Sequence, residues 1–413
     1  MKLLKKVFAD YCWYDILLFT FGYLFLVDIF LEGSGNILKF YIFDVRITVR
    51  MCLFSLTMIS FLIWFFFKRK KIDFSVFIPF GCLLLWLGIC FIFSCVFKNN
   101  LSAVFEDIKP LLGVLFILPC LLIESISKYQ KNLLIYTLYI CASIVSIICI
   151  ALYFANKLVD TNIALVINDF LGSREFVIRD EGGGIYCHSQ SMVFLALVVS
   201  LYELFVDKKY ITPSIVSCLF FSCLLQAETR THLIPILLYM FCLIGYSFRR
   251  YSRNKTRTNI LLAIVPLMVL CILFIASLFV VDYSHIISTD APGTEKRFVY
   301  LRQALSSIFY WTILTGRGFG YYLSNDLGTA HLETEPLEIT LEQGIIGLAV
   351  WLLLFVFIVY QAKKNSNQKQ YSYLLIAILL LFLISSLMNP VLFNPKGFAA
   401  IGFGVLLTKE KTA

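Results

Sequence analysis

The chain has 413 residues, of which 60% are hydrophobic, 16% aromatic and only 15% charged, and its formal net charge is +9. Charged residues alone make up about a quarter of a typical soluble domain, so this composition excludes a soluble globular protein. We expect the chain to be surrounded by membrane lipids and to bind no nucleic acid.

Apolar segments long enough to cross a bilayer follow one another along the whole sequence. A helix of about 20 residues crosses the hydrocarbon core, and no alternating pattern of about ten residues indicates a β-barrel. The sequence therefore predicts an all-α, polytopic membrane protein, with residues 1–413 forming a single integral membrane domain of about 12 transmembrane helices. The predicted spans are 14–31, 47–67, 74–97, 105–123, 132–155, 188–206, 211–227, 231–248, 260–281, 344–361, 371–388 and 397–408.

The N-terminal stretch MKLLKKVFADYCWYDILLFTFGYLFLVDIF has the basic then apolar order of a signal sequence. It lacks a small-x-small cleavage site, so we interpret it as an uncleaved first helix. The 13 cysteines lie almost entirely inside apolar runs and form no C-x-x-C pair. We therefore expect small core residues, with neither a disulfide framework nor a zinc site.

The polar breaks between the spans differ in which basic residue they carry. Lysines outnumber arginines in one set of breaks, which comprises MKLLKK, KRKK, SKYQK, DKKY, RRYSRNKTR, AKKNSNQK and KEK. The positive-inside rule places this set, and with it both termini, in the cytoplasm. Arginines outnumber lysines on the outer side: Arg46, Arg50, Arg174, Arg179, Arg230, Arg297, Arg302 and Arg317. A guanidinium is a planar fork of donors that suits phosphate or carboxylate, so the outer face is predicted to hold an anion.

Two long outer loops are predicted, at 156–187 and, between the ninth and tenth spans, at 282–343. Loops longer than about 15 residues usually carry function or are disordered. The second loop contains EKRFVYLRQALSSIFYW, whose apolar residues recur at helical spacing. We predict an amphipathic helix there, packed on the membrane domain, with Arg297 and Arg302 near its start.

Three motifs place arginines where an anion could bind. Arg230, in LLQAETRTHLIPILLY, must lie at the membrane surface, where a charge is costly unless it is paired or faces water. The alternatives are an ion pair with Glu228 or contact with lipid headgroups. In SREFVIRDEGGGIYCHSQS, Arg174 and Arg179 precede three glycines that allow close backbone approach to an anion, or simply make a flexible loop. His188 is expected to cap the following helix.

The third motif, TGRGFGYY, fits neither of the glycine-rich nucleotide-binding patterns. We interpret it as a tight turn that aims Arg317 inward. No Asp-x-Asp motif is present to hold a metal against a nucleotide-sugar, and we predict neither a metal nor a cofactor.

Glutamates gather directly before the span at 344–361. Pro336 is expected at the first helical position of a short helix capped by Thr334 or Glu335, with Glu335, Glu338 and Glu342 on one face. Near arginines, these carboxylates would neutralise the guanidiniums or leave one carboxyl suited to take a proton. The alternative is a solvated acidic face.

Four stretches together resemble the superfamily of O-antigen polymerases and O-antigen ligases. They are RDEGGG before a span, ETRTHL after one, KRFVYLRQAL at the start of the large loop, and GRGFG followed by HLETEPLEITLEQGIIGL at its end. Their order, spacing and sidedness fit, over about residues 170–361. The resemblance implies a metal-independent glycosyltransferase of the bacterial inner membrane, acting at the periplasmic face on oligosaccharide carried by undecaprenyl pyrophosphate.

The resemblance also implies roles for individual residues. Arg230 and Arg297 would bind the donor pyrophosphate, with Arg179 in support. Arg317, which the TGRGFGYY turn is expected to aim inward, is a further candidate for the same site. Ligases carry H-N-x-x-L eleven residues before the glycine that is Gly344 here, and that register falls on Glu333, with His331 two positions upstream. Glu333, His331 and Glu335 are therefore the candidate catalytic residues, with Glu333 or His331 as the base.

Because the histidine typical of ligases is displaced, polymerisation of O-antigen or capsular repeat units is favoured. Transfer of the glycan to lipid A core by a ligase is the alternative. A chain-length regulator and a flippase are the implied protein partners. A flippase or other transporter is a more distant alternative, since the sequence shows no internal repeat and its unusual charges lie in outer loops.

The predicted orientation can be tested with two introduced cysteines. Ser288→Cys, in the large outer loop, should react in intact cells with a small membrane-impermeant maleimide. Ser366→Cys, in a predicted cytoplasmic break, should react only after permeabilisation, with the parent protein as the background for native cysteines. Labelling in the reverse order would invert the orientation.

Overall fold

A computed structural model describes residues 12–33, 39–42, 45–68, 73–158, 163–171, 175–178, 184–227, 230–253, 302–303, 306, 312–321, 334–366 and 369–410. The chain divides into two compact units. The first comprises Met1–Ser60 and Asn132–Ser288, and the second comprises Phe61–Lys131 and Thr289–Ala413. Each unit is described by itself below.

The described chain is mostly helical. Its elements are α1 (Trp13–Leu31), β1 (Lys39–Ile42), β2 (Val45–Thr48), α2 (Val49–Lys68), α3 (Phe77–Val96), α4 (Leu101–Leu111), α5 (Ile117–Leu122), α6 (Lys128–Leu158), α7 (Ile163–Leu171), β3 (Phe176–Ile178), β4 (Ile185–Cys187), α8 (Gln190–Phe205), α9 (Ile211–Gln226), α10 (Arg230–Arg253), α11 (Thr312–Thr315), α12 (Glu335–Lys364), α13 (Lys369–Ser386) and α14 (Pro395–Leu407). Two 3-10 segments, Phe74–Val76 and Leu112–Phe116, precede α3 and α5.

Within the described residues, five helices are long and apolar enough to cross a membrane: Trp13–Leu31, Val49–Lys68, Phe74–Val96, Lys128–Leu158 and Glu335–Lys364. Shorter apolar helices occupy the positions of further predicted spans, as α8, α9, α13 and α14 do. The prediction of a mostly helical membrane protein with several spans is thereby confirmed. The span predicted at 260–281 lies outside the described residues.

One predicted span is not a continuous helix. Residues 105–123 are divided among α4, a 3-10 segment and α5. Pro110 lies inside α4, and a proline in a helix removes one backbone donor and crowds the preceding turn. Gly113 follows in the 3-10 segment, where a Cβ atom would lie 3.2 Å from Phe398 Cδ2. The break therefore lets α14 pack closely on this segment.

Two short hairpins, which were not predicted, accompany the helices and leave the all-α class unchanged. Strands β1 and β2 pair antiparallel, and so do β3 and β4, with Phe176 opposite Cys187. The second hairpin and α7 lie in the predicted outer loop 156–187. Strands of three or four residues escaped prediction because so short a segment shows no reliable alternation.

The first unit is built around α8, in which every residue is buried. Its Phe194 ring stacks on His232 of α10, with centroids 4.9 Å apart. Helix α9 packs against α8, where the hydroxyls of Ser200 and Ser217 lie 2.7 Å apart. A helix that is buried on all sides needs no polar face, which explains why α8 reads as a nearly continuous apolar run.

In the second unit, polar side chains connect the end of its first chain segment, at Lys131, to residues just after α14. Lys131 Nζ lies 2.7 Å from Glu410 Oε2 and 3.6 Å from the centroid of the Tyr371 ring. The neighbouring Lys409 donates a hydrogen bond to the Leu121 carbonyl over 2.9 Å. Burial lowers the pKa of Lys409 to about 8. The C-terminal end of α14 is thus fixed to the start of α6 and the end of α5.

Breaking the buried ion pair on one side should be costly. Lys131→Met leaves the Glu410 carboxylate buried without its cation, which should lower the free energy of unfolding by about 3–5 kcal/mol. Replacing both partners, as Lys131→Met with Glu410→Leu, should recover most of it. The measurement is the melting temperature of detergent-purified protein, with Lys128→Met as control because Lys128 is exposed on the same helix. A double variant no more stable than Lys131→Met would contradict this account.

Candidate active site

The GRGFG segment forms a turn directly after α11. Gly316, Gly318 and Gly320 have φ angles of 73°, 77° and 71°. Such left-handed angles cost other residues about 1–2 kcal/mol each, so the alternating glycines are what this turn requires.

The turn packs backbone against backbone. A Cβ atom on Gly316 would lie 2.2 Å from the Glu342 carbonyl oxygen, and one on Gly318 would lie 2.4 Å from the Ser94 nitrogen. The Arg317 and Gly318 N–H groups donate to the carbonyls of Leu341 and Glu342, each over 2.9 Å. The glycines therefore bring the turn into direct contact with the first part of α12.

Gly344 interrupts α12 opposite this turn. Its φ of 70° and ψ of −179° are not helical, and a Cβ atom there would lie 2.1 Å from the Leu314 carbonyl oxygen. Thr334, one of the two predicted caps, is the N-cap, and Pro336 is the second helical residue, one position later than predicted. The expected short helix is thus residues 335–343, and the apolar span continues from the break to Lys364.

Side chains from α4 and from the corner that precedes it hold the turn from its other side. The Asn99 amide nitrogen donates to the carbonyls of Arg317 and Phe319, over 3.1 Å and 2.7 Å. The Asp107 carboxylate accepts a hydrogen bond from the Gly320 N–H over 2.7 Å. Both contacts connect positions more than 200 residues apart in the chain.

The side chain of Arg317 is half-buried. Its Nη1 donates to the Tyr321 hydroxyl over 2.8 Å, and Cζ lies 4.7 Å from the centroid of the Tyr321 ring. A guanidinium stacked on an aromatic face keeps donors at its edge for an anion. The turn predicted around Arg317 is present, with the guanidinium neither buried nor fully solvated.

Two of the predicted acidic residues are buried in the second unit. Glu335 is 4% exposed, and its two carboxylate oxygens accept hydrogen bonds from the Leu392 and Phe393 N–H groups, over 2.8 Å and 3.1 Å. Glu342 is 7% exposed and lies near the Asp107 carboxyl. The alternative of a solvated acidic face is therefore wrong for both, because side chains and backbone from other elements cover them.

The base of the β3–β4 hairpin is fixed in the first unit. Ser189 Oγ accepts a hydrogen bond from the Gly33 N–H over 2.7 Å and lies 3.1 Å from Glu175 Oε1. Ser189 is also the N-cap of α8, so the expectation that His188 caps this helix is wrong. Arg179 follows β3 directly, which puts the RDEGGG motif in the connection of an anchored hairpin.

One arginine of the outer set has a structural partner. Arg50 Nε donates to Asp28 Oδ2 over 2.9 Å, and the guanidinium also donates to the carbonyls of Glu32 and Gly33. These contacts use three of the five N–H donors of Arg50 and tie α2 to the end of α1. The excess of outer arginines is therefore partly structural.

The structure describes only some of the predicted site residues. Arg317 and Glu335 have described side chains, and both lie in the second unit, on the turn and on the helix that contact each other. Arg230 begins α10 in the first unit, and only its backbone is described. Arg179, Arg297, His331 and Glu333 lie outside the described residues.

Asn99 and Asp107 were not singled out by the sequence. The signal that could have found them is FKNNLSAVFEDIKP, a break whose amide and carboxylate side chains border apolar segments. In the part of the chain that the structure describes, no group of three or more His, Cys, Asp and Glu side chains is placed to hold a metal ion.

Helices long and apolar enough to cross a membrane, and a glycine turn that carries Arg317 against a broken helix, indicate a multi-pass membrane protein with a candidate anion site. The chain is 25% identical over 383 residues to an O-antigen polymerase of Shigella flexneri. The aligned residues cover 92% of each of the two chains. This similarity confirms the resemblance to the O-antigen polymerase and ligase superfamily. No family model matches the chain, and no solved structure matches it either.

The tight backbone contact predicts strong sensitivity to a single methyl group. Gly318→Ala should lose about 1–2 kcal/mol from its left-handed backbone and about 1–3 kcal/mol from overpacking against Ser94. Gly88→Ala, inside α3 with no atom within 4 Å of a Cβ atom, should be neutral or stabilising. Melting temperatures of the purified variants decide this, and equal effects would contradict the proposed backbone contact.

Proposed function

We propose that this protein polymerises lipid-linked oligosaccharide repeat units of O-antigen or capsular polysaccharide at the periplasmic face of the inner membrane. The observation that carries this proposal is the similarity to an O-antigen polymerase over 92% of the chain. The arginine-rich outer loops and the firmly held Arg317 turn support it, because a pyrophosphate-linked donor needs cations in a defined geometry.

The reaction exchanges one bond to the anomeric carbon for another. The bond between the reducing-end sugar of the growing chain and the undecaprenyl pyrophosphate breaks, and a glycosidic bond forms to the non-reducing-end hydroxyl of a new lipid-linked unit. Arg230 and Arg297, supported by Arg179 and Arg317, stabilise the charge that develops on the pyrophosphate. Cations fixed before the reaction need no reorganisation as the charge grows, which makes this term large.

The acceptor hydroxyl must lose its proton to a base. We assign this role to Glu333, with His331 as the alternative. Glu335 was a further candidate, but its carboxylate oxygens accept backbone hydrogen bonds and its side chain is buried. We therefore propose that Glu335 fixes the start of α12, which begins two residues after Glu333.

The acceptor separates the polymerase from a ligase, which would use the same donor and transfer the glycan to lipid A core. Complementation of a deletion strain distinguishes them. With a polymerase missing, lipopolysaccharide gels should show lipid A core carrying a single repeat unit. Bare core with long chains retained on undecaprenyl pyrophosphate would indicate the ligase, and an unchanged pattern of surface polysaccharide would reject both.

The same strain tests the assigned residues. Arg230→Ala and Arg297→Ala should fail to restore the ladder, while Lys296→Ala, next to Arg297, should restore it. Glu333→Gln should be at least 10-fold less active than Glu338→Gln, because general-base catalysis contributes about 100-fold or more. Immunoblots of membranes establish equal insertion. An active Arg230→Ala or Arg297→Ala variant would remove that residue from the pyrophosphate site.

A further inference from the structure

We propose that Asn99, in the corner between α3 and α4, and Asp107, within α4, are positioning residues that set the direction in which Arg317 meets the donor pyrophosphate. This proposal rests on the proposed function, since it gives Arg317 its ligand. Neither residue lies in a motif of the superfamily resemblance. Their role follows from hydrogen bonds to the backbone of the Arg317 turn.

Asn99 uses its amide group on both sides of Gly318. The Nδ2 atom carries two hydrogens, and the carbonyls of Arg317 and Phe319 accept them over 3.1 Å and 2.7 Å. These two carbonyls flank the residue whose backbone has the most positive φ angle in the turn. A single side chain thereby fixes the peptide group that joins Arg317 to Gly318 and the one that joins Phe319 to Gly320.

Asp107 fixes the end of the turn. Its Oδ2 accepts a hydrogen bond from the Gly320 N–H over 2.7 Å. Gly320 is the last glycine before Tyr321, whose ring and hydroxyl contact the Arg317 guanidinium. A shift of Gly320 would therefore displace the surface on which the guanidinium stacks.

The corner that carries Asn99 is itself fixed by backbone and capping hydrogen bonds. Lys98 adopts a left-handed φ of 58°, and the Asn99 N–H bonds to the Ser94 carbonyl over 2.9 Å, which ends α3. The next residue, Asn100, caps α4 by accepting from the Ser102 N–H over 2.9 Å. Asn99 is thus held between two helix ends and cannot follow the turn if the turn moves.

The turn needs this support because glycine backbones are intrinsically free. Three glycines alternate with Arg317 and Phe319, so the segment alone would sample many conformations. Contacts with α12 fix the N–H groups of Arg317 and Gly318, and Asn99 and Asp107 fix the remaining groups described above. Misplacing a catalytic group by about 1 Å can lower the rate about 100-fold. Small shifts of the turn should therefore lower the activity measurably.

Isosteric substitutions at adjacent positions give a matched test. Asn99→Asp keeps the side-chain shape but replaces the donor by an oxygen facing two carbonyls. Asn100→Asp makes the same chemical change one residue away, where aspartate caps a helix as well as asparagine does. Polymerisation is measured with full-length purified protein and a synthetic lipid-linked repeat unit. Asn99→Asp should lower kcat by about 10–100-fold with less change in KM, and Asn100→Asp should leave both unchanged.

A double-mutant cycle shows whether Asn99 acts through Arg317. In an Arg317→Lys background, which is itself impaired, Asn99→Asp should lower kcat by less than about 2-fold, because the planar fork it positions is gone. Equal losses in the two backgrounds would overturn the positioning role. An Arg317→Lys enzyme with wild-type kinetics would instead overturn the assignment of Arg317, and so that part of the proposed function.

Asp107 gives a second test that does not depend on tolerance at Asn99. Asp107→Asn keeps an oxygen that can accept from the Gly320 N–H, and should retain kcat within about 3-fold. Asp107→Ala removes the acceptor and should show the same dependence on Arg317 as Asn99→Asp. Two Asp107 variants of equal activity, or Asp107→Ala losses that add to those of Arg317→Lys, would also overturn the proposal.

Discussion

The direct contact between two stretches of backbone, the glycine turn after α11 and the break at Gly344 in α12, is the constraint on which the candidate site depends. Gly316 approaches the Glu342 carbonyl, and Gly344 approaches the Leu314 carbonyl, at distances that leave no room for a Cβ atom. Neither stretch can keep its shape without the other. The break ends the short acidic helix, and the turn sets Arg317 beside it.

Polar groups near a membrane interior have to be used, because hydrocarbon offers them no water. The described charges follow this rule: Glu335 accepts two backbone N–H groups, Arg50 pairs with Asp28, and Lys131 pairs with Glu410. Each pair ties together segments distant in the chain. These buried polar groups therefore connect different elements of the fold. Burial alone does not identify a catalytic carboxyl.

The span positions followed closely from hydropathy, because length and apolar content alone decide whether a helix can cross a bilayer. Helix α1, at Trp13–Leu31, lies within one residue of its predicted start. The prediction failed at residues 105–123, where Pro110 and Gly113 break an apolar run that hydropathy reads as continuous. Both hairpins were also missed, since their strands are too short to show a period.

The candidate site was predictable in its local geometry and not in its tertiary contacts. TGRGFGYY predicted a tight turn because glycine is the residue that accepts left-handed angles, and Pro336 predicted the start of a helix for a similarly local reason. The partners that hold the turn, Asn99 and Asp107, are 218 and 213 residues away from the residues they bind. Nothing local in the sequence links such positions, and the burial of Glu335 likewise depends on a loop that follows it by 57 residues. Sequence patterns therefore indicate which residues could bind an anion, whereas the backbone of the Arg317 turn is held by polar side chains that are distant in the chain.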